Sequence, residues 1–186
     1  MKKFILMAAL VVATLSASAQ GAFIKPMAGG TLATLTGDVS DDLKLKLGFV
    51  GGAEFGYQFN DHFALTAGAL YSMQGAKFDS EHTKYNINLD YLNVPIMLAV
   101  YPVKEFGIKA GIQYGFLLKA KEGDDNLKDF YNKKDLSIPV GISYEFEETA
   151  IDLRYNFDLS DIYKGDLIKM HNSIITLTIG YKIPLY

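Results

Sequence analysis

Three observations in this sequence predict an all-β fold, an eight-stranded antiparallel up-and-down transmembrane β-barrel. Strand-like alternation runs through the chain in eight segments after residue 20. The connections between those segments alternate between long and short, and the polar face of the segments is rich in glycine. Ile151 to Leu159, "IDLRYNFDL", shows the alternation most cleanly: Ile, Leu, Tyr, Phe and Leu occupy the odd positions, and Asp, Arg, Asn and Asp the even ones. Period two belongs to a strand with two unlike faces. A soluble sheet turns the apolar face inward, whereas a membrane barrel turns it outward to lipid.

Residues 1–19 read as a secretory signal peptide. Lys2 and Lys3 form a basic start, Phe4 to Leu15 an apolar run, and Ala17-Ser18-Ala19 a small-residue cleavage site before Gln20. A short N-terminal membrane helix is the competing reading, but the run is too short to span and has no stop-transfer flank. The expected division is therefore a leader over 1–19 and an outer-membrane β-barrel domain over 20–186. Without the two leader lysines, the 18 Lys and Arg residues become 16 against 21 acidic residues, a charge of −5. That balance gives nucleic acid no basic surface to bind. Twelve Tyr, twelve Phe and 17 Gly favour strands and tight turns over helices. With no cysteine in the chain, neither disulfides nor a lipid-anchored N-terminus is expected. The longest later apolar run, Val94 to Tyr101, contains Pro95 and is far too short for a membrane helix. A chain of this kind crosses a membrane only as a barrel.

The eight segments fall at 22–34, 47–59, 63–77, 87–101, 106–121, 135–146, 150–159 and 172–186. In 106–121 the apolar face carries Phe106, Ile108, Ala110, Ile112, Tyr114, Phe116 and Leu118. Its other face carries Gly107, Lys109, Gly111, Gln113, Gly115, Leu117, Lys119 and Lys121. In 135–146 Leu136, Ile138, Val140, Ile142, Tyr144 and Phe146 oppose Ser137, Pro139, Gly141, Ser143 and Glu145. The last segment sets Ile175, Leu177, Ile179, Tyr181 and Ile183 against Thr176, Thr178, Gly180 and Lys182. None of these apolar faces carries a charge.

Four connections are long and polar, at 35–46, 78–86, 122–134 and 160–171. Three are short: Asn60-Asp61-His62, Pro102 to Glu105, and Glu147-Glu148-Thr149. In a meander this places every long loop at one end, and the short turns with both termini at the other. Outer-membrane barrels have short periplasmic turns, longer extracellular loops and an even strand count. Glycine weakens an exposed strand position but suits a crowded interior, and eight strands enclose only enough room for side chains. Reversing the faces would set Arg154 or Lys109 against lipid, at roughly 2–4 kcal/mol each near the midplane. The wet side is the inside. Asp152, Arg154, Asn156 and Asp158 are expected in the lumen with Glu54, Lys109, Gln113, Lys119, Glu145 and Lys182, paired across it. A soluble lipocalin-like barrel is the rival fold, disfavoured by the loop sorting and the glycine pattern.

Phe59, Phe63, Tyr101, Phe106, Phe146 and Tyr181 fall at the short-turn end, and Phe49, Tyr71, Phe116 and Phe157 near the other, as two interfacial girdles would. Pro26, Pro95, Pro139 and Pro184 lie within strands, where a closed barrel has no edge to tolerate them. Pro26 and Pro184 sit near the ends of the first and last strands, and Pro95 and Pro139 are expected to mark bulges.

Five stretches carry a family likeness: "IKPMAGGTLATLTG", "FALTAGALYSMQGAKF", "LDYLNVPIMLAVYP", "GIKAGIQYGFLLKAK" and "LTIGYKI". Together they resemble the PorT-like outer-membrane β-barrel family of Bacteroides-type bacteria over essentially the whole mature chain. The Leu-Asp-Tyr…Pro…Tyr-Pro and Leu-Tyr-Ser…Gln-Gly runs are the most specific. The resemblance implies an integral outer-membrane protein and little about activity. Family members often carry an acid inside the third strand where this chain has Gly68, which implies a missing lumen ion pair. Many also end one residue after Gly-Tyr-Lys, whereas Pro184-Leu185-Tyr186 follows Ile183 here.

Little in the chain suggests catalysis. His62 lies in a short turn. His82 lies beside Asp79, Ser80 and Glu81, but groups clustered in one loop do not orient each other as a triad must. His171 and Ser173, two apart on a strand, point the same way near its extracellular end, as a lipid A deacylase-like pair would. Residues 175 to 185 on that face supply no orienting acid. No EF-hand spacing, His/Cys set or phosphate loop occurs, so no catalytic, metal or cofactor residues are expected. The functional expectation is a non-enzymatic barrel with a structural, adhesive or assembly-related role. A lipid-modifying barrel enzyme (deacylase- or acyltransferase-like) or a small porin is the alternative. Expected partners are outer-membrane lipid and lipopolysaccharide, the barrel assembly machinery during insertion, and a protein met by the long loops.

Overall fold

The structure, a computed structural model, describes residues 21–37, 43–80, 83–122, 125–128, 131–160 and 170–185. The signal-peptide segment and His82 therefore lie outside the described residues. Eight long strands form the wall: β1 (Ala22–Gly37), β2 (Lys46–Asn60), β3 (Phe63–Ser80), β4 (Thr83–Val103), β5 (Phe106–Glu122), β6 (Lys134–Phe146), β7 (Thr149–Asp158) and β8 (Met170–Tyr181). Each pairs antiparallel with the next in sequence. β8 returns to β1 from Met27↔Gly180 to Gly37↔Met170, which closes the barrel. Closure leaves no strand edge unpaired around the wall.

The register is staggered as closure requires. Starting at Tyr91, cross-strand partners lead through Ser72, Val50, Gly29, Thr178, Asp152 and Ser143 to Gly107 on β5. Tyr91 pairs on its other side with Leu117 of the same strand. The circuit thus comes back ten residues lower, from Leu117 to Gly107, and the strands tilt by the ~35–45° typical of such barrels.

Alternation produces the two faces as the sequence predicts. Leu177, Ile179, Ile142, Ile112 and Tyr144 are exposed on the outside, while Asp152, Glu54, Lys109 and Arg154 are buried inside. Among the described residues no helix is long and apolar enough to cross a membrane. Every girdle aromatic named above is at least partly exposed except Tyr101, which is 2% exposed and faces the lumen.

Four expectations need correction. Segment 78–86 is not a long loop: β3 and β4 stay paired to Ser80↔Thr83, because backbone pairing continues through the polar residues expected to form a connection. Pro95 and Pro139 are not bulges. The β3–β4 register is unchanged between Ala67↔Ile96 and Leu70↔Asn93, and the β5–β6 register between Ala110↔Val140 and Gln113↔Ser137. A proline has no N–H to donate, so rungs drop out beside it while the strands stay in step. Pro26 behaves alike at the seam, between Ile24↔Ile183 and Met27↔Gly180. The last segment is divided, into β8 and a two-residue strand Ile183–Pro184. Finally, Lys119 is exposed on the outside. Asp90 pairs with Lys119 and Tyr91 with Leu117, so Leu118 is an extra residue in β5. The bulge reverses the faces beyond it, and Ala120 is buried where Lys119 was expected.

Two shorter pairings extend the wall at the long-loop end. Leu43–Lys44 pairs with Phe78 and Lys77, and Asp125–Asn126 with Lys121 and Glu122. At Gly75 the backbone has φ +110°, and an added Cβ would sit 2.1 Å from the Ile87 carbonyl oxygen. Only glycine fits this kink without strain, and Lys46 Nζ donates there to the carbonyls of Gln74 (2.7 Å) and Ile87 (3.2 Å).

Candidate functional site

The interior is the chemically distinctive part of the molecule. At mid-height Lys25 of β1 reaches Glu54 (3.2 Å) and Asp152 (2.8 Å). Lys109 of β5 reaches the other Asp152 oxygen at 2.5 Å. Arg154 of β7 donates to Glu54 Oε1 at 2.6 Å and lies 3.6 Å from Asp152. These five side chains are no more than 5% exposed. Toward the short-turn end, Lys182 holds Glu145 at 3.2 Å, Lys109 lies 4.0 Å from the same carboxylate, and Tyr101 donates to it at 2.7 Å. Lys182 also donates to Gln58 and stands over the Phe23 ring, 4.4 Å from its centroid.

Glycines make this packing possible. A Cβ on Gly68 would come within 2.8 Å of Glu54 Cγ, one on Gly141 within 3.0 Å of Arg154 Cγ, and one on Gly180 within 3.0 Å of Lys25 Cγ. Each charged stem lies across a neighbouring strand that has no side chain of its own. Gly68 therefore does not cost the lumen its ion pair: Glu54 occupies the space and supplies the acid.

Above the ion pairs comes a neutral layer. Gln113 donates to Ser137 (3.3 Å), Gln74 to Ser72 (3.1 Å) and Asn172 to Gln74 (3.3 Å). Nearest the long loops an apolar cluster of Ile87, Leu89, Tyr91, Leu117, Ala120 and Tyr131 fills the bore. At the opposite mouth a cavity of 610 Å³ is lined by Gln58, Lys104, Glu145, Glu148 and Lys182, among others.

Asp152, Arg154, Asn156, Glu54, Lys109 and Gln113 are all buried inside as expected, with Glu145, Asp158 and Lys182 partly exposed at the two ends. Sequence reading missed Lys25. The lumen face of its strand also carries Phe23, Met27 and Ala33, so alternation does not distinguish the two sides. The available signal was that Lys25 is the only charge in its strand, and a charge in a barrel wall belongs on the lumen side rather than against lipid. Lys46 was missed because it lies at the edge of a segment read as loop.

His171 and Ser173 are not joined. His171 Nδ1 contacts the Ser160 carbonyl at 3.2 Å, and Ser173 Oγ hydrogen-bonds to the Tyr155 hydroxyl. A nucleophile whose hydroxyl is bonded to a tyrosine lacks the base that would activate it. His62 is exposed and its Nδ1 meets the Tyr101 carbonyl at 2.9 Å. Among the described residues no three His, Cys, Asp or Glu side chains come together as a metal-holding group.

The comparisons agree with this geometry. The attachment invasion locus protein Ail of Yersinia pestis superposes with a TM-score of 0.54 at 16% identity, over 88% of this chain and 99% of that one. Neisserial surface protein A gives a TM-score of 0.57 at 17% identity, over 89% of this chain and 100% of that one. Among curated proteins nothing matches the sequence. Residues 5–182 match the model of the outer membrane protein beta-barrel domain. With that match spanning nearly the whole sequence and a closed eight-stranded wall to accompany it, the chain belongs to the outer membrane protein beta-barrel domain family and resides in the outer membrane.

Proposed function

We propose that this protein is a non-enzymatic, non-conducting barrel that acts through its extracellular end as a surface attachment or assembly component of PorT-like type. The observation that carries the reading is the lumen, where Lys25, Glu54, Lys109, Asp152 and Arg154 form one buried ion-pair network across the bore. Salt-bridged side chains packed against opposing glycines fit a bore that eight strands leave only wide enough for side chains, which supports a non-conducting lumen. The function then belongs to what faces outward: the wall, which meets lipid and lipopolysaccharide, and the long connections, which meet a protein partner. Ail is named for attachment and invasion, and its barrel superposes on this one over 88% of this chain. During insertion the barrel assembly machinery is the partner.

Purified protein in planar bilayers should show no stable porin-like conductance. Steady large openings from the wild type would replace this reading with a transport one. Export through a leader over 1–19 belongs to the same proposal. N-terminal sequencing of the membrane-fraction protein should start at Gln20, and a chain still beginning at Met1 would refute the leader.

A further inference from the structure

At the extracellular end of the lumen two carboxylates have no ion-pair partner among the described residues. Asp135 of β6 and Asp158 at the end of β7 each keep a buried oxygen with no hydrogen-bond partner. They are neighbours: Asp158 pairs with Ser137, and Asp135 is the next lumen-facing residue along β6. Such diagonal neighbours lie about 7–8 Å apart, with their Cβ atoms somewhat closer.

Three further buried oxygens without partners belong to the same patch: the Tyr91 hydroxyl and the amide oxygens of Asn156 and Asn172. These residues are 1%, 5% and 2% exposed. The Asn172 N–H donates to Asp158 Oδ2 at 2.9 Å, and Asn156 is the next lumen-facing residue along β7. Tyr91 reaches over from β4 across Gly115, where an added Cβ would meet Asp135 Cβ and Tyr91 Cδ1 at 3.2 Å each. Its hydroxyl is close enough to feel the charge of both carboxylates. The Tyr91 ring belongs to the apolar cluster above, which closes the patch off from the outside.

Two adjacent carboxylates, Asp135 buried and Asp158 half-buried with a buried oxygen, repel each other, and burial without a counter-charge is costly. Every available donor here is oxygen: two carboxylates, two amide carbonyls and a phenol. That set suits a hard cation, and carboxylates with amide carbonyls are typical calcium ligands at about 2.3–2.6 Å. A cation between Asp135 and Asp158 fits their diagonal spacing. We propose that the upper lumen holds a divalent cation of the Ca2+ class between Asp135 and Asp158, with Asn156, Asn172 and Tyr91 completing its oxygen shell. No linear motif marks the site, because its residues come from four strands. His171 of β8 is the other titratable side chain within electrostatic reach of Asp135.

The test uses refolded full-length protein washed with chelator. Adding Ca2+ at a hundredfold excess over its Kd should raise the midpoint of the heat-modifiable folded band by about 5–10 °C. Tb3+ should show tyrosine-sensitised emission that Ca2+ displaces. The Asp135→Asn/Asp158→Asn double variant should lose both responses, yet match or exceed the wild type in chelator, because the repulsion is gone. Tyr91→Phe should lower the Tb3+ emission severalfold, a readout that remains if the double variant fails to fold. Equal wild-type midpoints in Ca2+ and chelator would overturn the proposal. So would a Ca2+ shift of equal size in the double variant, which puts the cation on the loops. A wild type stabilised by acid but indifferent to Ca2+ would also overturn it, since the carboxylates would then share a proton.

Discussion

Asp152→Leu is expected to produce the largest loss of stability of any single lumen substitution. Asp152 is fully buried and accepts from Lys25 and Lys109 while lying beside Arg154. Removing it leaves Lys25 and Arg154 to share Glu54, and Lys109 with the more distant Glu145 at 4.0 Å. Breaking a buried pair by removing one partner costs roughly 3–5 kcal/mol. For a domain of this size that lowers the folded-to-unfolded gel transition by on the order of 10 °C. Adding Lys109→Leu to Asp152→Leu should recover part of the loss, since the two residues share one interaction and their effects cannot be additive. An unchanged transition in Asp152→Leu would mean that water solvates the mid-lumen cations and that the network carries little stability.

The second large effect concerns the outer wall. Leu177 projects outward at mid-strand on β8, between Gly30 of β1 and Leu153 of β7, and is 54% exposed. Leu177→Arg places a guanidinium in the hydrocarbon, at roughly 2–4 kcal/mol at the midplane. Its neighbour Thr178 faces the lumen, so Thr178→Arg meets the cations of the network and a polar environment instead. Urea titrations of folding into lipid vesicles should show a lower midpoint for Leu177→Arg. Equal midpoints for Leu177→Arg and wild type would contradict a lipid-facing position.

The fold was legible because closure and lipid impose the same rule on every strand. A side chain faces either water-like interior or hydrocarbon, and only strict alternation satisfies both, as "IDLRYNFDL" shows. The short turns were legible for the same reason, since they need only reverse the chain, whereas 78–86 reads as a long loop because its polar run hides strands paired to Ser80↔Thr83. Lys25 was hidden by apolar neighbours on its own lumen face, where the bore admits Phe23 and Met27 as readily as charge. Lys119 was misplaced because "FLLKAK" supports either parity, and only the partner strand shows that Leu118 is the inserted residue. The Asp135–Asp158 patch lay beyond sequence reading because cross-strand register, rather than spacing along the chain, brings its members together.

That inserted residue works as a depth gauge. Below Leu118 the outward side of β5 runs through Ile108, Ile112, Tyr114 and Phe116, and above it through Lys119. At the same level on β4, Asp90 accepts a hydrogen bond from the outward Tyr71 at 2.8 Å. An exposed charge on the outer surface, Lys119, means that hydrocarbon has ended. From Phe106 to Leu118 the strand covers twelve residue steps, which at about 3.3 Å each and a tilt of ~35–45° rise roughly 30 Å, close to the ~25 Å apolar band of such barrels. One extra residue thus marks the waterline on this side of the barrel, and everything beyond it stands clear of the lipid tails, within reach of headgroups and whatever the cell surface meets.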